Sequence, residues 1–387
     1  MTTQATVGVI SRLRSRAGTR RPSVRTAVFV LVPVATLLVV GMGALMSASS
    51  VVGLRQFGSR SYFVVQQAKW VGVGVVAMVV TARTPYHWYR RLAGPIFAVS
   101  LLGLVAVLVL GDVRNGARSW IVIGGWSVQP SEFAKLGMIV ALAAVAASKG
   151  SLLERPGHFA VPALGVVGLS AGMVLVQGDF GTASIMALAG LFMLVASQAP
   201  IHYTVSLASL SAMAGVLMVK ATPYRWERVT AFLNLEAVAD DAGYQTIQGL
   251  VALGTGKWLG VGLGASRARW SFLPNAHTDF IFAIIGEELG FTGAVIVLAL
   301  FAVLAVSGTV VALRAEDMFG RLLAVGIVSW ISVQALVNIG GVTATLPVTG
   351  VPLPFISYGG SALVAAMAGV GILVNIANGG GERIRNR

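Results

Sequence analysis

The residues from Pro274 to Glu288 place one histidine and three carboxylates around an apolar run. Asp279 stands directly before Phe280, and burying a carboxylate beside hydrocarbon costs several kcal/mol unless it is paired or protonated. A carboxylate in a low dielectric is a better base, because its pKa rises. Thr278 and Asp279 also begin an apolar helix, where an N-cap contributes about 1 kcal/mol. The spacing therefore leaves two hypotheses for Asp279, a catalytic base and a helix cap.

A second candidate cluster lies around the start of a predicted helix at residue 131. Glu132 and Lys135 are three residues apart, so they share a helix face and can simply neutralise each other. A lysine within an apolar span is also a functional-site candidate. With Arg118 and Arg114 close in sequence, the cluster could hold a diphosphate, which arginine binds through two parallel hydrogen bonds. Both interpretations remain open from the residues alone.

The composition is that of an integral membrane protein. Of the 387 residues, 56% are hydrophobic and only 11% are charged, whereas soluble domains carry about 25% charged residues. Apolar runs of roughly 18 or more residues recur, and each is long enough to cross the bilayer as a helix. The chain has no cysteine, which excludes disulfides, thiolate metal sites and a cysteine nucleophile.

We therefore predict an all-α polytopic membrane protein of about ten transmembrane helices. The predicted spans cover residues 27–48, 61–82, 92–110, 131–148, 159–177, 181–198, 201–221, 290–313, 321–340 and 356–377. They form one membrane domain over 27–378, between a basic N-terminal segment at 1–26 and a short basic tail at 379–387.

The basic residues predict the orientation. Six arginines precede residue 27, and Lys/Arg concentrate on the cytoplasmic side of membrane proteins. With an even number of spans, both termini are cytoplasmic, and segments 111–130, 222–289 and 341–355 lie outside. The net charge of +14 does not imply binding to nucleic acid, because the cations lie in loops between the spans, where they orient the protein and attract anionic headgroups.

The outer segments have distinct compositions. Segment 222–289 is far longer than an ordinary connection of roughly 4–6 residues. Its aromatic residues predict short helices at the membrane interface, where such residues concentrate. Three prolines precede Ser357 and Tyr358, and non-helical backbone at membrane depth is tolerated only where protein or a cavity covers it. This proline-rich segment is thus predicted to line a lipid-facing cleft.

The chain resembles the SEDS family of cell-wall polymerases over nearly its whole length. The motifs that carry the resemblance are long and occur in the same order. They are Asn115 to Trp120, Gln129 to Lys135, Tyr244 to Gly264, Pro274 to Gly290, and Pro347 to Ser361. Residues Asn338 to Thr343 and Pro274 to Glu288 are closer to the division-type members than to the elongation-type members.

The resemblance implies a peptidoglycan glycosyltransferase that polymerises lipid II at the outer face of the bacterial cytoplasmic membrane, for septal synthesis. It implies that Asp279 is the catalytic aspartate and that Glu132 lies in the same cavity. The residues expected to contact substrate are Arg118, Glu132, Lys135, His277, Thr278, Arg225, Ser357 and Tyr358. The expected partners are a class B penicillin-binding protein and other membrane proteins of the division complex, and Mg²⁺ or Mn²⁺ is a candidate at the diphosphate.

Three alternatives compete with this hypothesis. A lipid II flippase would use the same ionisable residues as a path across the bilayer, and a division scaffold would not need Asp279. Within the family, an elongation-type enzyme is the remaining alternative.

Overall fold

The computed structural model describes residues 24–114, 116–233, 243–267, 273 and 276–380, and most of these residues are helical. The predicted N-terminal segment and C-terminal tail fall almost entirely outside the described residues. Apolar stretches without proline or glycine clusters favour helices, because a helix satisfies its own backbone hydrogen bonds within the bilayer. Fourteen α-helices occur in the described part of the chain.

The helices that match the predicted spans are as follows: α1 (Val24–Phe57), α2 (Tyr62–Arg83), α4 (Ala93–Leu110), α5 (Pro130–Lys149), α8 (Phe180–Ala196), α9 (Ile201–Lys220), α12 (Ile281–Arg314), α13 (Met318–Val342) and α14 (Gly360–Ala377). The fifth span is composite and consists of α6 (Pro156–Ala160), a π-helical stretch at Val161–Gly168, and α7 (Leu169–Val176). The short helix α3 (His87–Arg91) links the second and third spans.

Nine helical segments of the described residues are long and apolar enough to cross a membrane. Helix α8 is also apolar and has 17 residues, which is near the lower end of the transmembrane range. These ten segments correspond one to one to the ten predicted spans, and the prediction of a polytopic helical membrane protein is confirmed.

Helix α12 differs most from its prediction. It begins at Ile281, nine residues before the predicted start, and its backbone breaks at Gly290 with φ 70° and ψ −168°. A positive φ favours glycine because it has no Cβ. The apolar residues before the break are buried, so the segment read as part of a loop is a short buried helix that leads into the span.

A small antiparallel sheet in segment 111–130 was not predicted. Its strands are β1 (Asp112–Arg114), β2 (Ala117–Ile123) and β3 (Trp126–Val128), in the order β1-β2-β3. Ile123 pairs with Trp126, and Gly124 and Gly125 between them have φ 57° and 83°. Two consecutive positive φ values give the tight turn that suits the twist of a hairpin.

The long segment 222–289 contains short helices, as predicted. Helix α10 spans Pro223–Leu233 and α11 spans Tyr244–Thr255. The chain after α11 passes close to the break in α12, since a Cβ added to Gly260 would collide with the Glu288 carbonyl oxygen. Beside this close approach, the side chains of Trp258 and Leu259 are exposed.

Helices α13 and α14 form the most buried part of the bundle. Helix α14 packs closely on α2, where the Thr81 hydroxyl donates to the Ala368 carbonyl at 2.9 Å. The end of α13 near Asn338 approaches the turn that contains Asp279, since the Asn338 amide contacts that residue's carbonyl. A central spanning helix thus supports the candidate site.

Candidate active site

The turn at residues 276–280 holds Asp279, and three successive carbonyls of this turn are tied to other segments. The Tyr358 N–H donates to His277 O at 3.0 Å, and the Ser357 hydroxyl donates to Thr278 O at 2.6 Å. The Asn338 side-chain amide donates to Asp279 O at 2.9 Å. Because each carbonyl has its own donor, the backbone that carries the Asp279 carboxylate is fixed at consecutive positions.

The Asp279 side chain is partly exposed, whereas Phe280 and the residues after it are buried. The N-cap position of α12 is Phe280, so Asp279 lies one residue ahead of the position that the cap hypothesis required. Gly350 faces the carboxylate, and a Cβ added there would lie 3.6 Å from Asp279 Oδ2. Glycine at this position, with φ 74°, leaves space beside the carboxylate.

Glu132 and Lys135 form a buried ion pair. The Lys135 Nζ atom lies 2.9 Å from Glu132 Oε1 and 2.8 Å from Oε2, and both side chains are 1% exposed. Nζ also donates to Gln334 Oε1 at 2.7 Å and lies 5.0 Å from the Trp330 ring centroid. Of the two interpretations that their spacing left open, the structure shows the ion pair, and both charges are compensated within the bundle.

Gln334 and Asn338 connect this ion pair to the Asp279 turn. They lie four residues apart on α13, so they share a helix face. The Gln334 amide donates to Pro352 O at 2.9 Å, and the Asn338 amide donates to Val351 O at 2.8 Å. One face of α13 therefore holds the proline-rich segment through two neighbouring carbonyls.

Ser357 has a structural role in this arrangement. Its hydroxyl accepts from Leu353 N–H at 2.8 Å and donates to Thr278 O, and the residue is 4% exposed. The Gln67 side chain of α2 donates to Ser357 O at 3.2 Å. The contacts of the Ser357 side chain are thus to backbone atoms, and the substrate contact expected of this residue stays a prediction.

His277 and Tyr358 form an aromatic group with Phe63. The ring centroids of Phe63 lie 4.8 Å from His277 and 5.2 Å from Tyr358. Burial lowers the pKa of His277, so its imidazole is neutral near pH 7. Burial, and secondarily the neighbouring Tyr62, raises the pKa of Tyr358, which stays a hydrogen-bond donor. Both residues offer polar contacts without a charge.

Glu287 and Glu288 are buried and anchor the chain around the break in α12. Glu287 accepts from the Ser266 hydroxyl and from Arg267 N–H, the latter at 2.9 Å. Glu288 accepts from the Ser47 hydroxyl and lies 3.4 Å from Ser266 N. These carboxylates of the sequence motif hold segment 261–267 against α12 and are separate from the Asp279 turn.

Arg118 lies on β2, which contacts the turn between α7 and α8. Its N–H donates to Gln177 O at 2.8 Å, and its guanidinium donates to Leu108 O at 3.0 Å while remaining exposed. Asp179 caps α8 by accepting from Thr182 N–H at 2.9 Å. Arg225 lies in α10, but its side chain is outside the described residues, as are those of Arg114 and Arg228.

The structure thus brings His277, Thr278, Asp279, Ser357 and Tyr358 together and links Glu132 and Lys135 to them through α13. The sequence interpretation missed the connecting residues Gln334 and Asn338. The available signal was two amides four residues apart within an apolar span, because polar groups inside a span need partners. Among the described residues, no group of three or more His, Cys, Asp or Glu could hold a metal ion.

The fold and this site define a polytopic helical membrane protein with a fixed carboxylate at one end of its bundle and a buried ion pair beneath it. The FtsW, RodA and SpoVE family, described as "Cell cycle protein", matches residues 28–380. The chain belongs to this family, as the resemblance to SEDS polymerases implied.

Similar proteins cover almost the whole chain. Stage V sporulation protein E of Bacillus subtilis is 40% identical over 356 residues, which are 91% of this chain and 97% of that protein. The probable peptidoglycan glycosyltransferase FtsW of Marinobacter nauticus is 39% identical over 88% of this chain and 86% of that protein. The predicted similarity to division-type members agrees with these relatives.

Two solved structures share the fold. One is a chain of a peptidoglycan synthase complex that coordinates polymerization and crosslinking, with a TM-score of 0.75 and 28% identity over 91% of this chain and 98% of that chain. The other is the rod shape determining protein RodA of Thermus thermophilus, with a TM-score of 0.67 and 27% identity over 90% of this chain and 95% of that chain.

Proposed function

We propose that this protein is a peptidoglycan glycosyltransferase that polymerises lipid II and that Asp279 is its general base. The observation that supports this role of Asp279 is its partly exposed carboxylate, which lies on a turn in which three successive backbone carbonyls accept hydrogen bonds from other segments. A base must be held in a fixed geometry to act efficiently. The names of the FtsW relatives support the reaction class.

The proposed reaction forms one bond and breaks one bond. The acceptor sugar hydroxyl attacks the anomeric carbon of the growing chain, and its proton passes to the Asp279 carboxylate. The bond between that carbon and the lipid diphosphate breaks, and the diphosphate leaves with the electron pair. Among the described residues, we assign the exposed guanidinium of Arg118 to stabilise the negative charge that develops on the diphosphate. Such electrostatic stabilisation often contributes much of the rate enhancement.

We assign no step to a metal ion. A single carboxylate at the Asp279 turn does not make a resident metal site among the described residues. Mg²⁺ is often held by one or two carboxylates together with substrate phosphates. If Mg²⁺ or Mn²⁺ assists, we expect the substrate diphosphate to supply most of its ligands.

Localisation and partners complete the proposal. We place the protein in the bacterial cytoplasmic membrane, with both termini in the cytoplasm and Asp279 at the outer face, and we assign it to septal synthesis. The solved synthase complex supports a class B penicillin-binding protein as its partner. Other division proteins remain expected partners.

The test compares Asp279→Asn with the unchanged protein. Each is purified with the partner transpeptidase and incubated with labelled lipid II, and glycan length is read on a gel. We expect the polymerisation rate to fall by about 10²–10⁴-fold, the usual contribution of a general base. Glu154→Gln is the matched control, because it makes the same chemical change at an exposed position.

The outcomes separate the competing functions. An intact complex that moves lipid II across vesicles without making polymer would support the flippase. An intact complex that makes no polymer and moves no lipid would support the scaffold. Normal polymer from Asp279→Asn would contradict the role of Asp279 while leaving the reaction class in place.

A further inference from the structure

We infer that Asn338 is the positioning residue of the candidate base, an inference that rests on the proposed function of Asp279. Asn338 lies on the spanning helix α13 and is 5% exposed. Its side-chain nitrogen donates to Asp279 O at 2.9 Å and to Val351 O at 2.8 Å. One side chain therefore links the turn that carries the carboxylate to the proline-rich segment.

The assignment of the amide atoms follows from these contacts. Both partners are carbonyl oxygens, which only accept, so the atom that contacts them must be the NH₂ group. The Asn338 side-chain oxygen has no hydrogen-bond partner among the described residues. An unpaired buried acceptor costs free energy, so stability alone does not favour this residue, whereas its two donors account for the position of the turn.

The hydrogen bond from Asn338 differs from the other two hydrogen bonds to backbone carbonyls of the turn. Tyr358 N–H and the Ser357 hydroxyl belong to the proline-rich segment, which has no regular structure around them. Asn338 belongs to a long buried helix and contacts the residue that bears the carboxylate. Loss of this contact would release the Asp279 backbone from the rigid bundle, while the contacts at His277 and Thr278 remain.

The same helix face also contacts the buried ion pair. Gln334, one turn before Asn338, accepts from Lys135 Nζ at 2.7 Å and donates to Pro352 O. The two amides thus connect the Asp279 turn, the proline-rich segment and the ion pair through hydrogen bonds to one face of α13. These hydrogen bonds determine where the Asp279 carboxylate lies, and they do not change which group is the base.

The experiment measures kcat and KM for lipid II polymerisation by the purified complex containing Asn338→Ala. We expect kcat to fall by about 10–100-fold with little change in KM, because a displacement of about 1 Å can cost 10²-fold in rate. The pH at half-maximal rate should stay the same, because Asp279 remains the base.

Asn375→Ala is the matched control. Asn375 is also a buried asparagine on a helix, 6% exposed, and its amide donates to Ala82 O at 2.8 Å. Its position is at the opposite end of the bundle. We expect both variants to lower the Tm in detergent by similar amounts, and only Asn338→Ala to lower kcat.

Equal kcat values for the two variants would overturn the inference. If Asn338→Ala does not fold, Asn338→Ser replaces it as a smaller polar substitution, and the same comparison applies. Normal kcat in a folded Asn338 variant together with an inactive Asp279→Asn would reject the inference alone. Normal activity of Asp279→Asn would reject the proposed role of the base, on which the inference depends.

Discussion

Asp279 and Asp317 each precede a long apolar helix, but their surroundings differ. Asp317 is the N-cap of α13, accepts from Gly320 N–H at 2.9 Å and accepts from the Tyr86 hydroxyl at 3.2 Å. Asp279 lies one residue ahead of the N-cap of α12 and faces Gly350. A carboxylate at the N-cap position stabilises its helix. The Asp279 carboxylate is not at that position, and the hydrogen bonds of its turn determine where it lies.

The two carboxylates belong to opposite ends of α13. Asp317 precedes its first residue, and Asn338, which contacts Asp279 O, lies 21 residues further on, a rise of about 32 Å at about 1.5 Å per residue. At the Asp317 end, burial and the adjacent Asp317 raise the pKa of Tyr86, which therefore remains a donor. At one end of α13 a carboxylate caps the helix and contacts Tyr86. At the other end the helix contacts the turn that carries the candidate base.

The largest effect is expected from Lys135→Met. This change leaves the buried Glu132 carboxylate without its partner, and breaking a buried ion pair costs about 3–5 kcal/mol. The free energy of unfolding in detergent should fall by that amount. The double variant with Glu132→Leu should recover most of the loss, because apolar residues can replace a buried pair.

Lys69→Met is the control for this prediction. Lys69 is exposed on α2, so its removal should change the stability little. A loss for Lys135→Met no greater than that for Lys69→Met would show that the ion pair does not stabilise the end of the bundle near Asp279.

Gly350→Ala tests the open space beside Asp279. Gly350 has φ 74° and Gly58, between α1 and α2, has φ 68°, so alanine at either position should cost about 1–2 kcal/mol. Only at Gly350 does the new methyl group contact Asp279, at 3.6 Å from Oδ2, whereas nothing lies within 4 Å at Gly58. Melting temperatures should fall equally, and polymerisation should fall only for Gly350→Ala.

Equal activity of the two glycine variants would mean that the space beside Asp279 has no part in the reaction. The comparison is informative because both variants carry the same backbone strain, so the difference in their rates reports the local contact alone.

Asp317→Ala should have a smaller effect, at the opposite end of α13. Loss of a helix cap costs about 1 kcal/mol, and a thermal melt in detergent measures it. Polymerisation by the folded protein should remain normal, since Asp317 is remote from Asp279. A loss of polymerisation comparable to that of Asp279→Asn would remove the distinction between the two carboxylates.

The spans could be predicted from the sequence because a membrane helix is a local property of about 20 residues. The same reasoning predicted a span that begins at residue 321, three residues after the observed start of α13 at Met318. It missed the start of α12 at Ile281, because the break at Gly290 separates two apolar helices that hydropathy alone cannot assign.

The sheet was missed although its turns have a local signal. Asn115-Gly116 and Gly124-Gly125 are residue pairs typical of tight hairpins, but the strands are only 3–7 residues long. Contacts of Gln334 and Asn338 could not be predicted in the same way. The two amides donate to backbone carbonyls that lie 13–59 residues away from them in the sequence. Every residue has a backbone carbonyl, so the sequence does not mark which ones accept these hydrogen bonds.

The smallest effect concerns His277, which lies in the Asp279 turn. Because burial lowers its pKa, the unfolded chain binds more protons than the folded chain between the lowered value and the ordinary value of about 6.5. Its contribution to stability is complete above about pH 6.5 and decreases as the pH falls through that window. His277→Gln should therefore flatten the decrease of the Tm between pH 7.5 and 5. His202→Gln, at an exposed position on α9, is the control, and equal slopes for the two variants would contradict the prediction. A flattened slope for His277→Gln alone would show that burial in the turn keeps the imidazole neutral in the folded protein.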